Sequence, residues 1–404
     1  MHIEMNSGNC CGCTACMSVC PVDAIKMIAD EEGFGVPQVD NVHCIECGSC
    51  VKVCPSIARR YSSKNEYSRM LQVYAAKYVD KIRDGSASGG LFPALAKYVL
   101  ENENGYVCGC ILNQETLMPE HIVSNNWVDV LRMRDSKYVQ SSIGDCYCKI
   151  KTLLKQDQFI LFTGTSCQVA GLYSFLDSTR VERKKLITVD FFCHGVPSPQ
   201  IWKDYLSFYQ KQKKRKPVGY RFRCKKYGWG SSSRGSSHLN SITYRNAIKV
   251  AREDNFSWAS RMWRSIFFSN LCIRRYCHNC PYASVDKPAD LTMGDFWGIE
   301  KFYPDFDDGK GSSLVLTRTK KADTVLKTAS WLTIMPVMLK EVLEKQANAF
   351  KPSPSHIQRE EFWQDYREKG FSFCAKKYFG YTVKNRIKLL MKRILFALKL
   401  KNIY

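Results

Sequence analysis

The sequence predicts a chain in two parts: a small cysteine-rich α+β module at the N-terminus, followed by a larger mixed α/β domain. Three observations predict it. Residues 10–21 read CCGCTACMSVCP and residues 44–55 read CIECGSCVKVCP, so the pattern C-x2-C-x2-C-x3-C-P occurs twice. Further on, apolar strand-like runs at 71–78, 106–112, 159–163 and 186–192 alternate with helical patterns at 91–101, 147–154 and 169–176. The chain has 404 residues, of which 45% are hydrophobic, enough for two or three domains with a real core.

The doubled cysteine run is the ligand pattern of a two-cluster ferredoxin. Three thiolates on a tight loop can cap three irons of one cubane. The fourth Cys lies one helical turn on and points to the other cluster. Cys10, Cys13 and Cys16 with Cys54 are therefore expected to hold one [4Fe–4S] cluster, and Cys44, Cys47 and Cys50 with Cys20 the other. Pro21 and Pro55 close the two runs. A structural zinc pair usually separates its cysteine pairs by a longer loop. Cys11 falls outside the pattern and reads as a spare thiol. Between the runs, residues 22–42 read as a strand, a turn and a second strand.

Composition narrows the setting. The start, MHIEMNSGN, has neither a basic segment nor an apolar run, so it is not read as a signal peptide. Twenty Cys in metal-type spacing without export point to the reducing cytoplasm. The formal net charge is +22, which suits an anionic membrane, an acidic protein partner or nucleic acid. Nucleic acid is excluded as a partner, because no basic patch is interleaved with aromatics as a strand-binding groove requires. The densest basic run, KQKKRK at 211–216, reads as a solvated helix end.

No stretch reaches the length of uncharged apolar sequence that spans a bilayer. The C-terminal residues 383–404 instead read as a basic amphipathic helix. Ile387, Leu390, Met391, Ile394, Leu395 and Leu398 recur at helical spacing. Lys384, Arg386, Lys388, Lys392, Arg393, Lys399 and Lys401 are interleaved. Such a helix can lie on an anionic membrane or pack on its own domain or a partner. The expected location is therefore cytoplasmic, with a peripheral position at the inner membrane surface open to it.

Residues 59–69 read as a polar linker. Ser86-Ala-Ser-Gly-Gly90 precedes a helix and could offer free backbone N–H groups to a phosphate, although alone it is also an ordinary tight turn. Cys108 and Cys110 would share one face of a strand. Those two, with Cys146 and Cys148, are read as structural thiols. The strands at 159–163 and 186–192 lead to Cys167 and Cys193, at the kind of strand end where α/β sheets gather reactive groups. Residues 220–250 alternate as antiparallel strands, and 260–272 as a helix. Cys277-His-Asn-Cys280-Pro281 is a further metal signal. With Cys193 and Cys167 it could complete a third cluster; Cys272 and Cys224 are rival fourth ligands. Past residue 301 no chemistry-bearing motif precedes the basic tail.

Four segments together resemble the coenzyme F-420 hydrogenase/dehydrogenase beta-subunit family. They are RDGSASGGLF at 83–92, GTSCQ at 164–168, CHGVPS at 193–198 and DLTMGDFWG at 290–298, in the family's order. The resemblance covers roughly residues 1–330, and a two-cluster ferredoxin module in front is common in bacterial members. It implies a mixed α/β flavin-binding domain with FAD beside a [4Fe–4S] cluster. In the family, electrons pass between that cluster and a second redox carrier, a deazaflavin in archaeal members. Carried over, Cys193, Cys277 and Cys280 would ligate the third cluster, with Cys167 as the fourth. Ser86, Ser88, Gly89 and Gly90 would contact flavin phosphate, with Lys137 beside them. Gly294, Asp295 and Trp297 would shape the flavin pocket. Ser166 stands where the family usually has Pro. No G-x-G-x-x-G occurs, so nothing supports a Rossmann NAD site.

The implied division is 1–58 for the two-cluster module, 59–70 for the linker, 71–155 and 156–335 for the two parts of the flavoprotein-like domain, and 336–404 for a helical basic tail. The expected function is an iron–sulfur flavin-dependent oxidoreductase exchanging electrons with a redox protein or a small-molecule carrier. The alternative is a non-catalytic electron-transfer subunit docked to a partner enzyme.

Overall fold

The computed structural model describes residues 2–58, 71–79, 81–225, 229, 240–245, 249–253, 257–343 and 345–397. The expected linker, part of the 220–250 run and the tail beyond 397 lie outside the described residues.

The N-terminal module is α1 (Ala15–Val19), β1 (Ile25–Ala29), β2 (Gly35–Val39), α2 (Ser49–Val53) and α3 (Pro55–Ala58). The two strands pair antiparallel, with Ile25 opposite Val39. The backbone repeats along with the cysteines. Gly12 and Glu46 have φ of 73° and 52°, and the helix N-caps Thr14 and Gly48 have φ of 64° and 70°. The left-handed region costs a residue with a Cβ roughly 1–2 kcal/mol. Thr14 and Glu46 adopt it because the loop must turn successive cysteines inward. Cys20 and Cys54 then end α1 and α2 in the same extended conformation, each with ψ 115°.

The larger domain is built on one eight-stranded sheet. Its strands are β3 (Gln72–Tyr78), β4 (Tyr106–Leu112), β5 (Pro119–Ser124), β6 (Ile160–Thr163), β7 (Leu186–Phe191), β11 (Leu291–Asp295), β12 (Ser313–Thr317) and β13 (Leu332–Pro336), in the order β13-β3-β12-β11-β7-β6-β4-β5. The four central strands β4, β6, β7 and β11 are parallel; antiparallel strands close both sides. The central strands are nearly continuous apolar runs because both faces are covered. One face carries α4 (Leu91–Asn102), α5 (Trp127–Met133) and α11 (Lys320–Thr328). The other carries α6 (Cys146–Lys155) and α7 (Ser166–Ser178). Ala15, Ile25 and Val53 of the module share the core of Tyr147, Val169 and Leu172 on α6 and α7, so the module packs directly on that face.

A second layer forms around Trp202, Trp263 and Trp363. It contains α8 (Pro199–Lys213), the small antiparallel sheet of β8 (Lys216–Arg221), β9 (Ser241–Arg245) and β10 (Val250–Glu253), then α9 (Trp258–Phe268) and α13 (Arg359–Lys377). α10 (Ile299–Phe302), α12 (Leu339–Leu343) and α14 (Val383–Ala397) complete the described elements. No described helix is long and apolar enough to cross a membrane.

Two expectations shift. The segment after 336 is not a free tail through 377. Pro336 pairs with Tyr74 at the sheet edge, and Phe362, Trp363 and Phe371 of α13 enter the aromatic core. The charged residues around those three hid the pattern. α7 starts three residues before its expected start, because the Gln168 side chain accepts the Thr165 N–H at 2.9 Å and caps the first turn. Cys167 is therefore in a helical turn.

Buried ionic contacts fix the module in place. Arg274, fully buried, donates from Nε to the Cys10 carbonyl at 2.6 Å, from Nη1 to Gln140 Oε1 at 2.9 Å and from Nη2 to the Gly35 carbonyl at 3.0 Å. Glu32 receives both Arg359 Nη1, at 2.7 Å, and Arg275 Nε, at 2.9 Å. Ser198 Oγ, at the start of α8, donates to the Glu32 carbonyl at 2.5 Å.

Candidate metal centres and ligand cavity

The module's eight cysteines fall into two groups. Cys10, Cys13, Cys16 and Cys54 are buried, and Cys16 has Cys10 and Cys54 as near neighbours. Cys20, Cys44, Cys47 and Cys50 line one small cavity of about 20 Å³ at the surface, where Cys47 is exposed. Backbone N–H groups already point at ligand sulfurs: Gly12 to Cys10 Sγ and Ala24 to Cys20 Sγ, both at 3.3 Å. Among the described residues no three His, Cys, Asp or Glu side chains converge on a single ion. A cubane does not require that, since each thiolate takes a different iron. Burial pushes the Cys10 thiol up to about 11, and the Cys16 and Cys54 thiols upward too. Bare buried thiols stay protonated, and a coordinated metal deprotonates them. The donor set and its geometry fit iron–sulfur clusters.

The third cysteine set is assembled by two loops. Cys193 follows β7; Cys277 lies in the 3-10 turn Arg275–Asn279 and Cys280 ends it. Ser198 N–H donates to the Cys272 carbonyl at 2.9 Å, and Arg274 N–H to the Val196 carbonyl at 3.0 Å, which ties the loops together. Gly195 permits the approach: its φ is 114°, and a Cβ there would come within 2.7 Å of Ile273 Cγ2. Cys167 reaches the same cavity from the first turn of α7. The rivals do not: neither Cys272, buried in the aromatic core, nor Cys224 is among the lining residues.

Cys11, read as a spare thiol, does line this cavity. Its side chain is in hydrogen-bonding contact with Cys13 of the module and with Cys167. The only signal in the sequence was its adjacency to Cys10.

The cavity has a volume of about 450 Å³, within the range of small-molecule sites. It opens where the strands β6, β7 and β11 end, the expected ligand position in a parallel sheet. Ser86, Ser88, Gly90, Lys137, Gly294, Asp295 and Trp297 all line it. Gly89 does not. A Cβ there would meet Ser313 N at 2.4 Å and Ala76 O at 2.5 Å, so Gly89 allows backbone packing instead. The Ser86 and Ser88 hydroxyls are engaged with the Ile82 and Ser312 carbonyls, at 3.0 and 2.9 Å. What this turn presents to a ligand is the start of α4, where Gly90 caps with φ 82°. Lys137 Nζ donates to the Arg132 and Met133 carbonyls at 2.8 and 2.9 Å, closing the end of α5, and burial lowers its pKa. Gly294 makes room for Phe192, whose ring would lie 2.8 Å from a Cβ.

Further walls come from residues that sequence reasoning missed. Buried Arg223 donates from Nη1 to Asp295 Oδ2 at 2.9 Å and to the Tyr138 hydroxyl at 2.8 Å. Lys287 Nζ donates to the Tyr282 carbonyl at 2.6 Å and lies 5.6 Å from the Phe192 ring centre. Its charge acts on both Cys193 and Cys280. His121 Nε2 donates to the Thr163 carbonyl at 3.0 Å; burial pushes its pKa down to about 4, so it is neutral at pH 7. Lys225, at the Ser86–Gly90 turn, donates to the Arg83 carbonyl at 3.0 Å. Burial, then the nearby Arg83 charge, pushes it down to about 7. No local motif marks any of these four.

The comparisons define the class first. Residues 9–58 match the family described as "4Fe-4S dicluster domain". With the buried and surface cysteine sets, this makes the chain an iron–sulfur electron-transfer protein of oxidoreductase type. Residues 157–336 match, and belong to, the family of the C-terminal region of the coenzyme F420 hydrogenase/dehydrogenase beta subunit. Among solved structures the chain is similar to one in "Xenon derivatization of the F420-reducing [NiFe] hydrogenase complex from Methanosarcina barkeri". The two are 17% identical over 77% of this chain and 96% of that one, with a TM-score of 0.43. No curated protein matches the chain.

Proposed function

We propose that the chain is an iron–sulfur flavoprotein oxidoreductase, passing electrons from its N-terminal module through a further cluster and FAD to an organic carrier or substrate. Cys20, Cys44, Cys47 and Cys50 would hold the outer cluster, and Cys10, Cys13, Cys16 and Cys54 the inner one. Cys167, Cys193, Cys277 and Cys280 would hold the third. FAD, when bound, supplies the exchange between one- and two-electron chemistry. The chain's own residues orient and shield it: the start of α4 offers backbone N–H groups to phosphate, and Arg223 and Lys287 add positive charge. Tyr138, Phe192 and Trp297 offer ring faces.

One observation carries this reading. The third cysteine set and the expected flavin contacts line a single cavity at the ends of the central parallel strands, beside the buried half of the module. The proposed domain division follows: module, linker, one sheet domain spanning 71–336, and a peripheral C-terminal helix. The proposed partners are a redox protein or small-molecule carrier, with a cytoplasmic location and a membrane contact through α14.

Anaerobic purification with iron, sulfide and flavin assays tests the proposal. It requires about twelve irons and about one FAD per chain. Preparations with about eight irons and no flavin would remove the catalytic half. The exposure of Cys47 also suits the second reading, a subunit that hands electrons to a docked enzyme. A dithionite-reduced chain that oxidises no small carrier until a partner is added would favour that reading.

A further inference from the structure

α14 inverts the usual amphipathic arrangement. Its contact with the protein is through Leu389, which is 8% exposed. At 3.6 residues per turn, Ile387, Leu390, Met391 and Ile394 fall roughly 100–200° away from Leu389, on the opposite side. All four are exposed, at 55, 55, 59 and 51%, and Val383 on the same stripe is 70% exposed. A helix folded onto its own domain would bury that stripe; this one turns it outward. Exposed Lys384 and Lys388 border the stripe on one side, exposed Arg386 on the other, and α14 contains no acidic residue.

We propose that α14 is an in-plane membrane anchor, seating this stripe among the acyl chains of an anionic bilayer while its lysines and arginine meet lipid phosphates. The charge pattern selects this occupant. An apolar stripe bordered by cations on both margins matches a surface that is apolar below and anionic above. At 15 residues α14 can lie on a bilayer but not cross it. The proposal does not depend on the clusters or the flavin.

Vesicle flotation of the full-length protein, purified anaerobically, tests it. The chain is expected to float with phosphatidylglycerol-containing vesicles, to do so less as salt rises, and to stay behind with pure phosphatidylcholine. The quadruple variant Ile387→Ser, Leu390→Ser, Met391→Ser, Ile394→Ser should lose flotation while keeping the cluster absorption spectrum of the parent, which reports an intact fold. Lys384→Gln and Lys388→Gln should each weaken binding roughly fivefold at low salt. In Met391→Trp the fluorescence should shift blue when anionic vesicles are added. The proposal is overturned if the parent remains soluble with anionic vesicles. It also falls if the quadruple variant floats as well as the parent, or if the parent is a dimer that the quadruple variant dissolves.

Discussion

The two halves of the N-terminal module share a backbone and differ in everything around it. Each half has the same four-cysteine spacing, the same left-handed positions before its helix and the same extended Cys after it. Yet Cys10, Cys13 and Cys16 are buried against α6 and α7, whereas Cys47 faces solvent beside the exposed Val42 and Ile45. A cluster's potential depends on solvent exposure and on hydrogen bonds to sulfur as well as on ligand type. Equal ligands in unequal surroundings therefore give a direction: the open half suits exchange with an outside carrier, the closed half delivery inward.

Ligand loss should separate the halves most strongly. Cys47→Ser and Cys16→Ser are each expected to lose about four irons per chain. Only Cys16→Ser should also lower the melting temperature clearly, because Cys16 is part of the shared core. Equal melting temperatures would break the comparison.

The ionic contacts give the next contrast. Arg359→Met leaves the Glu32 carboxylate buried without its main partner, at a cost of about 3–5 kcal/mol in denaturant melts. His43→Ala removes the exposed pair with Asp40 on the open half, 2.8 Å apart, and should change stability by less than about 1 kcal/mol.

Acid should act from the closed side. The unfolded His121 imidazole takes up its proton near pH 6.5. In the fold this happens only near about 4. Between these values the unfolded chain binds more protons, so stability falls as pH drops through the window, by up to about 3 kcal/mol. Melts of His121→Gln across the same window should be flatter than those of the parent; parallel curves would remove His121 as the cause.

The smallest effect is expected at Cys11. Cys11→Ala should keep every iron but shift the midpoint potential of the inner or third cluster, read by EPR-monitored titration, since its thiol contacts Cys13 and Cys167. The outer cluster should not move. Loss of about four irons would make Cys11 a ligand instead.

Legibility in the sequence followed range. The half-repeat strands, the helix after Gly90 and the alternating strands and helices at 106–191 were readable, because each is set by periodicity within a few residues. The cavity's cysteines and most of its expected ligand contacts were readable through clustered motifs. Lys287, Arg223 and His121 were not. Nothing in their neighbours marks them, and their significance comes only from what distant segments place beside them. α13 was obscured because its three core aromatics are embedded in charged residues that solvate the other side of the helix.

By itself the sequence determined the local geometry of the metal loops: cysteine spacing, Gly and Thr at the turns, and a helical turn that sends the fourth Cys away. These are short-range steric facts. The tertiary structure alone decided which half is buried, that Cys11 bridges the module to Cys167, and that Arg274 grips the Cys10 carbonyl from 264 residues away. Burial and contact at that separation depend on how whole layers pack, and the layers here meet only once the sheet has formed.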